Sequence, residues 1–298
     1  MNKINTTIKQ IGYLLEASIV WVGLLIFRTV GLKNSANYAS FLVKLIGKKL
    51  SVNQLAKNNI MQALPHLNQQ EVGDVLDGMW DNLGRIIGEF AYVAGASSKE
   101  LAGFVQMDER SKKNIEYIKN NFNGGIIFSA HIGNWEIGPK IFLENGINVK
   151  TVYRPLNNSY VDEMTSKIRG VEMISKGTKG NKQIINEIKN GNYVIILADQ
   201  KISDGIWVPF FNRPALTTTS IAKLALKYNV PLIPARSIRI GKEFKFVVDV
   251  EKPIEFQKIA NINENSIINL TIKVNQKLEE WIKEYPAQWF WVHNRWKK

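Results

Sequence analysis

Cysteine is absent from the 298-residue sequence, and histidine occurs only three times. A chain without cysteine cannot form a disulfide framework, a cysteine nucleophile or a zinc site built from thiolates, and it fits a reducing compartment. The three histidines are scattered, and no H-E-x-x-H spacing joins any of them. The sequence therefore gives little support to a metal site, and we expect none.

Three short motifs that mark common enzyme sites are also missing. The sequence has no G-x-S-x-G elbow, no G-x-x-x-x-G-K-[ST] loop and no G-x-G-x-x-G directly after a strand. These absences argue against a hydrolase with a nucleophilic serine, a nucleoside triphosphatase and a dinucleotide-dependent enzyme.

Acidic residues are in deficit, since 39 lysines and arginines stand against 26 aspartates and glutamates, a net charge of +13. A field of that sign attracts nucleic acid, anionic membrane surfaces and acidic protein or lipid partners alike. Charge alone does not choose among these partners.

No uninterrupted apolar run reaches the roughly 20 residues of a straight membrane span. The segment 11–32 comes nearest, being apolar except for Glu16 and Arg28, and its uninterrupted part, 17–27, covers 11 residues. Charges near the ends of a span are tolerated because long side chains reach the interface. The segment predicts a membrane attachment, either a marginal span or an interfacial helix, with a buried helix as the alternative. A signal peptide is disfavoured because no clear cleavage site follows.

Linkers, repeats and low-complexity tracts are lacking as well. We therefore expect an N-terminal membrane-attachment helix in residues 1–34 and a single domain in residues 35–298. Apolar residues recur three or four apart over 35–64 and 70–96, which predicts helices. Further along, the pattern predicts strands at 124–130, 149–153, 193–200, 231–240 and 243–253, and helices at 135–144, 217–229 and 266–285. Strands alternating with helices are typical of an α/β fold with a mostly parallel sheet flanked by helices.

Polar residues follow the ends of the predicted strands, where sites of α/β sheets gather. His131 follows one strand, Arg154 a second, and Asp199 with Gln200 a third. Glu136 comes five positions after His131, which in one continuous helix would point it about 140° away. Across a turn, however, its carboxylate can orient the ring of a general base. The alternative is a polar turn that only caps a helix.

Six segments together resemble the lipid A biosynthesis lauroyl/myristoyl acyltransferases, the late acyltransferases within the wider H-x-x-x-x-D/E glycerolipid acyltransferase group. They are MWDNLGRIIGEF (79–90), HIGNWE (131–136), VYRPLNN (152–158), ADQ (198–200), GIWVPFFNRPALTTT (205–219) and PAQWFWVHNRWKK (286–298). The resemblance implies an α/β fold without metal or other cofactor, an N-terminal membrane anchor, and a site at the cytoplasmic face of the inner membrane. It implies a fatty acyl thioester of acyl carrier protein as donor and an anionic, Kdo-bearing lipid A precursor as acceptor, and no nucleic acid partner.

The same resemblance gives roles to the two central residues. His131 is expected to remove the proton of a lipid hydroxyl, and Glu136 to hold its tautomer and stabilise the imidazolium. Arg154 is expected to bind a phosphate or the oxyanion, with a surface arginine as the alternative. Asn134 either donates to the oxyanion or caps the helix, and capping is favoured. Asp199 is expected to fix the following loop rather than to take part in chemistry, and Gln200 is grouped with it as a substrate-binding candidate.

Four further residues carry weaker expectations. Phe210 and Phe211 are candidates for an acyl channel, with a place in the core as the alternative. Arg85 is a candidate for a substrate phosphate, or else for an ion pair with Glu89. The aromatic and basic segment containing His293 is expected at the membrane interface. Two other functions stay open: acylation of another glycolipid or a lysophospholipid, and a non-enzymatic, basic membrane-peripheral binding protein.

Overall fold

The apolar runs of the sequence form the strands of one central sheet and a separate hairpin. The computed structural model describes residues 3–200, 205–256 and 262–296, and no side chain is described for residues 3–7 or for Ser98. The strands are β1 (Val105–Gln106), β2 (Gly125–Ser129), β3 (Val149–Tyr153), β4 (Met173–Ser175), β5 (Tyr193–Leu197), β6 (Ile206–Phe210), β7 (Arg213–Thr217), β8 (Leu232–Arg239) and β9 (Phe246–Val250).

Helices precede, separate and follow these strands. They are α1 (Lys3–Val30), α2 (Leu32–Gly47), α3 (Ser51–Ala63), α4 (Gln69–Val93), α5 (Ser98–Ala102), α6 (Glu109–Asn121), α7 (Gly138–Glu144), α8 (Ser159–Arg169), α9 (Thr178–Lys189), α10 (Ser220–Tyr228) and α11 (Glu264–Glu284), with a 3-10 turn at Pro286–Gln288.

The central sheet has the strand order β1-β9-β8-β2-β5-β3-β4. The run from β8 to β4 is parallel, while β9 is antiparallel to β8 and β1 is parallel to β9. Successive side chains of a strand point to opposite faces. Accordingly Ile126 and Phe128 join one hydrophobic cluster and Ile127 the other. The predicted fold class, a mostly parallel sheet flanked by helices, is confirmed.

Several helices and strands begin or end at other residues than the sequence predicts. The helix expected over 35–64 is two helices, because a turn at 48–50 separates α2 from α3. The helix expected to begin at Trp135 begins at Gly138, since residues 134–137 form turns and Pro139 lies in the first helical turn. The strand expected over 193–200 ends at Leu197.

The N-terminal helix α1 is a candidate membrane anchor. Its segment Ile8–Val30 has a mean hydropathy of 1.7 over an 18-residue window and none of that window is buried, so it could span a membrane by length and composition. Side chains outside α1 donate hydrogen bonds to it: Tyr92 Oη to the carbonyls of Phe27 and Arg28, Asn158 Nδ2 to Glu16, and Asn34 Nδ2 to the Val30 carbonyl. The division of the chain at residue 34 stays a prediction.

Three residues of the aromatic segment after the 3-10 turn are fully buried. Trp289, Trp291 and Arg295 have no exposed surface, and the two indole rings lie edge to face with centroids 4.6 Å apart. The expectation that this segment lies at a membrane interface is therefore wrong for these three residues, and it stays a prediction for the half-buried remainder of residues 289–296. Its rings join the core cluster that also contains Phe210 and Phe211.

Candidate active site

The chain after β2 forms a tight turn that is clamped from two sides. Gly133 has φ +57°, and a Cβ there would lie 1.7 Å from the Ser237 carbonyl oxygen, so only glycine fits. The buried C-terminal segment runs alongside: the amide of Phe290 donates to the His131 carbonyl, and Ile132 bridges Trp289. These contacts fix the backbone that carries His131.

Asp199 follows β5 and is the hydrogen-bond partner of the His131 ring. Its Oδ1 lies 2.8 Å from His131 Nδ1, and its Oδ2 accepts from the His131 backbone N–H and from Trp289 Nε1, each at 2.8 Å. Burial by itself raises the pKa of Asp199, but the His131 ring and amide and the nearby His293 together hold it well below its ordinary value. Asp199 is thus a buried, charged acceptor, and its bond to Nδ1 favours the His131 tautomer that carries its proton on Nδ1.

The other ring nitrogen of His131 then carries the lone pair. The amide of Gln200 lies at Nε2, with 3.1 Å between the two nitrogens, so that Gln200 donates to it. The side chain of His131 is 14% exposed and lines a cavity together with Gln200. Nε2 is therefore placed to accept a proton from a group that enters this cavity and displaces the Gln200 amide.

Glu136 lies on the same cavity but has a different partner from the one expected. Its carboxylate forms a two-pronged ion pair with Arg169 at the end of α8, at 2.9 and 3.1 Å. Within the described part of the chain, Glu136 shares no hydrogen bond with His131, whose ring instead meets the edge of Trp135. The predicted orienting contact thus belongs to Asp199, because the turn continues to Ile137 and directs Glu136 towards α8.

The cavity measures about 190 Å³ and joins the carboxyl ends of β2, β3 and β5. One part of its lining is charged and the other apolar. The cations are Arg154, Arg169 and Lys176, and the apolar side chains include Leu156, Met173 and Leu197. Desolvation lowers the pKa of Lys176, against the attraction of Asp199 and in the same direction as the repulsion by Arg154. The cavity therefore combines the His131 ring with three cations, with the carboxylates of Glu136 and Asp162, and with an apolar wall.

Arg154 lines this cavity and is exposed, and its expected contact with a phosphate or an oxyanion stays a prediction. Asn134, by contrast, is buried beneath the turn, where Nδ2 donates to Glu89 and Oδ1 accepts from the Glu136 amide. The Asn134 side chain thus closes a turn over residues 134–136. It does not cap α7, whose N-cap position is Ile137.

Arg85 lies on a different cavity. Its guanidinium pairs with Asp81 at 2.7 Å and donates to Asn37 and the Lys242 carbonyl. The ion pair considered between Arg85 and Glu89 is not formed. Glu89 pairs instead with Arg239 at 2.6 Å.

Phe210 and Phe211 belong to the core and not to the His131 cavity. Phe210 is fully buried and its ring stacks on Trp296, with centroids 5.5 Å apart. Phe211 is 5% exposed, has φ +52°, and its amide donates to Glu279. The antiparallel β6–β7 hairpin explains this placement, because its turn inserts both rings against the aromatic C-terminal segment.

Sequence reasoning missed three residues of this site. Arg169 and Trp289 are the partners of Glu136 and Asp199, and His293 lies beside His131 with ring centroids 5.3 Å apart. Burial lowers the pKa of His293 to about 4, with Asp199 opposing that change. No spacing rule connects these residues to His131.

One group of side chains in the described residues has ligand types suited to a metal ion. Nitrogens of His131 and His293 and an oxygen of Asp199 lie within 4.8 Å of one another. The Asp199 carboxylate already accepts three N–H donors, and a metal ion would have to displace the direct bond to His131 Nδ1. The donor set is that of a hydrogen-bonded base, and the expected absence of a metal stays a prediction.

Comparison with known proteins gives two matches. The model of the bacterial lipid A biosynthesis acyltransferases matches residues 1–298. A protein of Haemophilus influenzae described as a lipid A biosynthesis acyltransferase is 21% identical over 250 residues, which cover 80% of this chain and 73% of that protein.

Proposed function

The chain belongs to the bacterial lipid A biosynthesis acyltransferases, and on that premise we propose that it moves a fatty acyl chain from acyl carrier protein to a hydroxyl of a Kdo-bearing lipid A precursor. Membership of this family makes the protein an enzyme and overturns the alternative of a non-enzymatic binding protein. The proposed mechanism is supported by the hydrogen bonds of the His131 ring at the edge of the cavity, where Nδ1 contacts Asp199 and Nε2 contacts Gln200.

In the proposed reaction His131 Nε2 takes the proton of the lipid hydroxyl while its oxygen attacks the thioester carbon. The new carbon–oxygen bond forms a tetrahedral oxyanion, which collapses as the carbon–sulfur bond breaks. The sulfur leaves with the proton returned by His131, so the enzyme ends unchanged. Asp199 stabilises the transient imidazolium, since its negative charge is 2.8 Å from Nδ1.

The roles of the charged cavity residues follow from their positions. Arg154 and Lys176 supply positive charge for a phosphate of the acceptor or for the oxyanion. Glu136 holds Arg169 at the cavity wall, so we assign it a positioning role through that arginine. Acyl carrier protein and phosphorylated glycolipids are acidic, and a net charge of +13 favours their approach.

The proposed location is the cytoplasmic face of the inner membrane. The apolar helix α1 supports membrane association, and it packs against the rest of the protein through Asn158, which begins α8. Leu156, two residues earlier, lines the cavity. The cavity therefore lies close to the segment that we expect to hold the protein at the bilayer.

Purified full-length enzyme tests the reaction. It is offered a mixed set of acyl carrier protein thioesters together with the Kdo-bearing tetra-acylated precursor, and the products are read by mass spectrometry. We expect one added acyl chain, and a loss of roughly 10² to 10⁴ in turnover for His131→Ala. Acylation of other glycolipids or lysophospholipids, with this precursor left untouched, would replace the proposed acceptor by the alternative one.

A further inference from the structure

Helix α2 distributes its side chains in the opposite way to a helix on the surface of a soluble protein. Its buried residues are all small, namely Ser35, Ala36, Ala39, Ser40 and Gly47. Five of its large apolar residues point outward and keep 49–66% of their surface exposed, namely Tyr38, Phe41, Leu42, Leu45 and Ile46, while Leu32 and Val43 are half-buried. A water-facing helix normally buries its large apolar stripe and exposes polar groups.

The small residues allow α2 to lie very close to α4. A Cβ at Gly84 would be 2.4 Å from the Ser40 Cα, and one at Gly88 would be 2.2 Å from the Ser35 carbonyl oxygen. Close backbone contact through small residues is how helices pair in membranes, where large apolar side chains face the lipid. Helix α2 therefore packs on α4 through its small residues and leaves five large apolar side chains outside the core, as helices in membranes do.

The charge of this segment has one sign. Residues 31–50 contain Lys33, Lys44, Lys48 and Lys49 and neither aspartate nor glutamate. Lysines next to an exposed apolar face are the pattern of a helix that lies in the interface of a membrane with anionic lipids.

Helix α2 also follows the candidate membrane helix α1 almost directly in the chain. Gly31, with φ +86°, is the single residue between the two helices, and the amide of Ser35 donates to its carbonyl. The candidate span before it has no buried part. A membrane that surrounds α1 therefore lies directly beside the start of α2.

We propose that α2 is a second membrane-embedded element, whose outer face of Tyr38, Phe41, Leu42, Leu45 and Ile46 lies at the boundary between lipid headgroups and acyl chains. The attachment is then a span or anchor followed by an interfacial helix. Because α2 packs on α4, and Asn82 of α4 donates to the Gly133 carbonyl, this helix fixes the height of the active-site turn above the bilayer. The proposal concerns membrane contact only and does not rest on the proposed acyl acceptor.

The absence of cysteine makes a direct test possible, since each introduced cysteine is the sole thiol of the chain. Full-length Phe41→Cys and Leu45→Cys variants carry a polarity-sensitive fluorophore in vesicles of phosphatidylethanolamine and phosphatidylglycerol. Leu25→Cys in α1 is the lipid-facing reference, and Tyr117→Cys, an exposed aromatic position on α6, is the matched water-facing control. Quenching by doxyl-labelled lipid is compared with quenching by iodide.

We expect the probes at 41 and 45 to lose about half of their emission to doxyl lipid and little to iodide, as suits a depth of roughly 5–10 Å. The probe at Tyr117 should respond to iodide alone. Iodide quenching at 41 and 45 equal to that at Tyr117, with Leu25→Cys still quenched by lipid, would overturn the proposal. Shielding of both positions from lipid and iodide would overturn it too, because it would indicate a protein partner on this face.

Discussion

Two carboxylates lie near His131, and they differ in burial and in the partners that they bind. Asp199 has no exposed side-chain surface and accepts three N–H donors, whereas the Glu136 side chain is 16% exposed and is committed to Arg169. Glu136 is the nearer in sequence, but Asp199 is the partner in space. Ser129 and Leu197 are paired in the parallel register of β2 and β5, so His131 and Asp199 each stand two residues beyond that pair. Because β2 and β5 are neighbours in the sheet, the carboxylate that contacts the His131 ring is Asp199 and not the nearby Glu136.

Replacing Asp199 by asparagine should have the largest effect. Asparagine offers one acceptor oxygen where the carboxylate serves three donors on two oxygens. If the amide faces Nδ1, His131 must carry its proton on Nε2 and the base is lost. We expect kcat to fall by roughly 10² to 10⁴. Asp77→Asn, at an exposed ion pair with Lys48, is the control.

Replacing Glu136 by glutamine should have a smaller effect, of about tenfold, because it weakens a charged contact to Arg169 worth roughly 1.5–3 kcal/mol without altering the His131 tautomer. Kinetics of Glu136→Gln, Arg169→Gln and the double variant form a cycle in which we expect strong non-additivity. If Glu136→Gln instead matched Asp199→Asn in kcat, Glu136 would be the orienting group after all.

Trp289→Phe should lower stability and activity together. The change removes the indole donor of Asp199, and a hydrogen bond to a charged group contributes about 1.5–3 kcal/mol. Trp291→Phe is the matched variant, since that indole is equally buried but donates to the neutral carbonyl of Pro286. Urea unfolding and kcat are measured for both. Equal kcat values would show that the donor to Asp199 does not serve the site.

We also expect a pH dependence of stability carried by His293. Its pKa is lowered from 6.5 to about 4 in the folded protein, so between these values the unfolded chain binds a proton that the folded one does not. Stability should therefore fall as the pH drops from 6.5 towards 4, by at most about 1.4 kcal/mol per pH unit from this group. His293→Phe should flatten the slope in urea titrations. An unchanged slope would assign the dependence to other groups.

The sequence predicted five of the seven strands of the sheet, and it placed His131, Arg154 and Asp199 just after strand ends. It did not predict β1 and β4, because strands of two and three residues are too short to show a hydrophobic period. The apolar runs at 124–130 and 149–153 became β2 and β3, and His131 stands directly beyond the first. The partner of His131 required the strand order, which local periodicity does not contain. Arg169 and His293 lie far along the chain and meet the site only through tertiary packing. Phe210 and Phe211 were ambiguous because an acyl channel and a core have the same composition.

The hydrogen bond from the Trp289 indole to Asp199 can form only late in protein synthesis, because Trp289 lies near the C-terminal end of the described chain. Ribosomes translate α1 long before Trp289, so this candidate membrane anchor is available for insertion while the hydrogen bonds around Asp199 are still incomplete. The turn at His131 likewise waits for Phe290 and Gln288, whose backbone groups pair with it. A nascent or prematurely terminated chain would thus reach the bilayer without a working base. Under the proposed function, targeting would precede catalytic competence, and acylation would begin only on chains that have been translated past this segment.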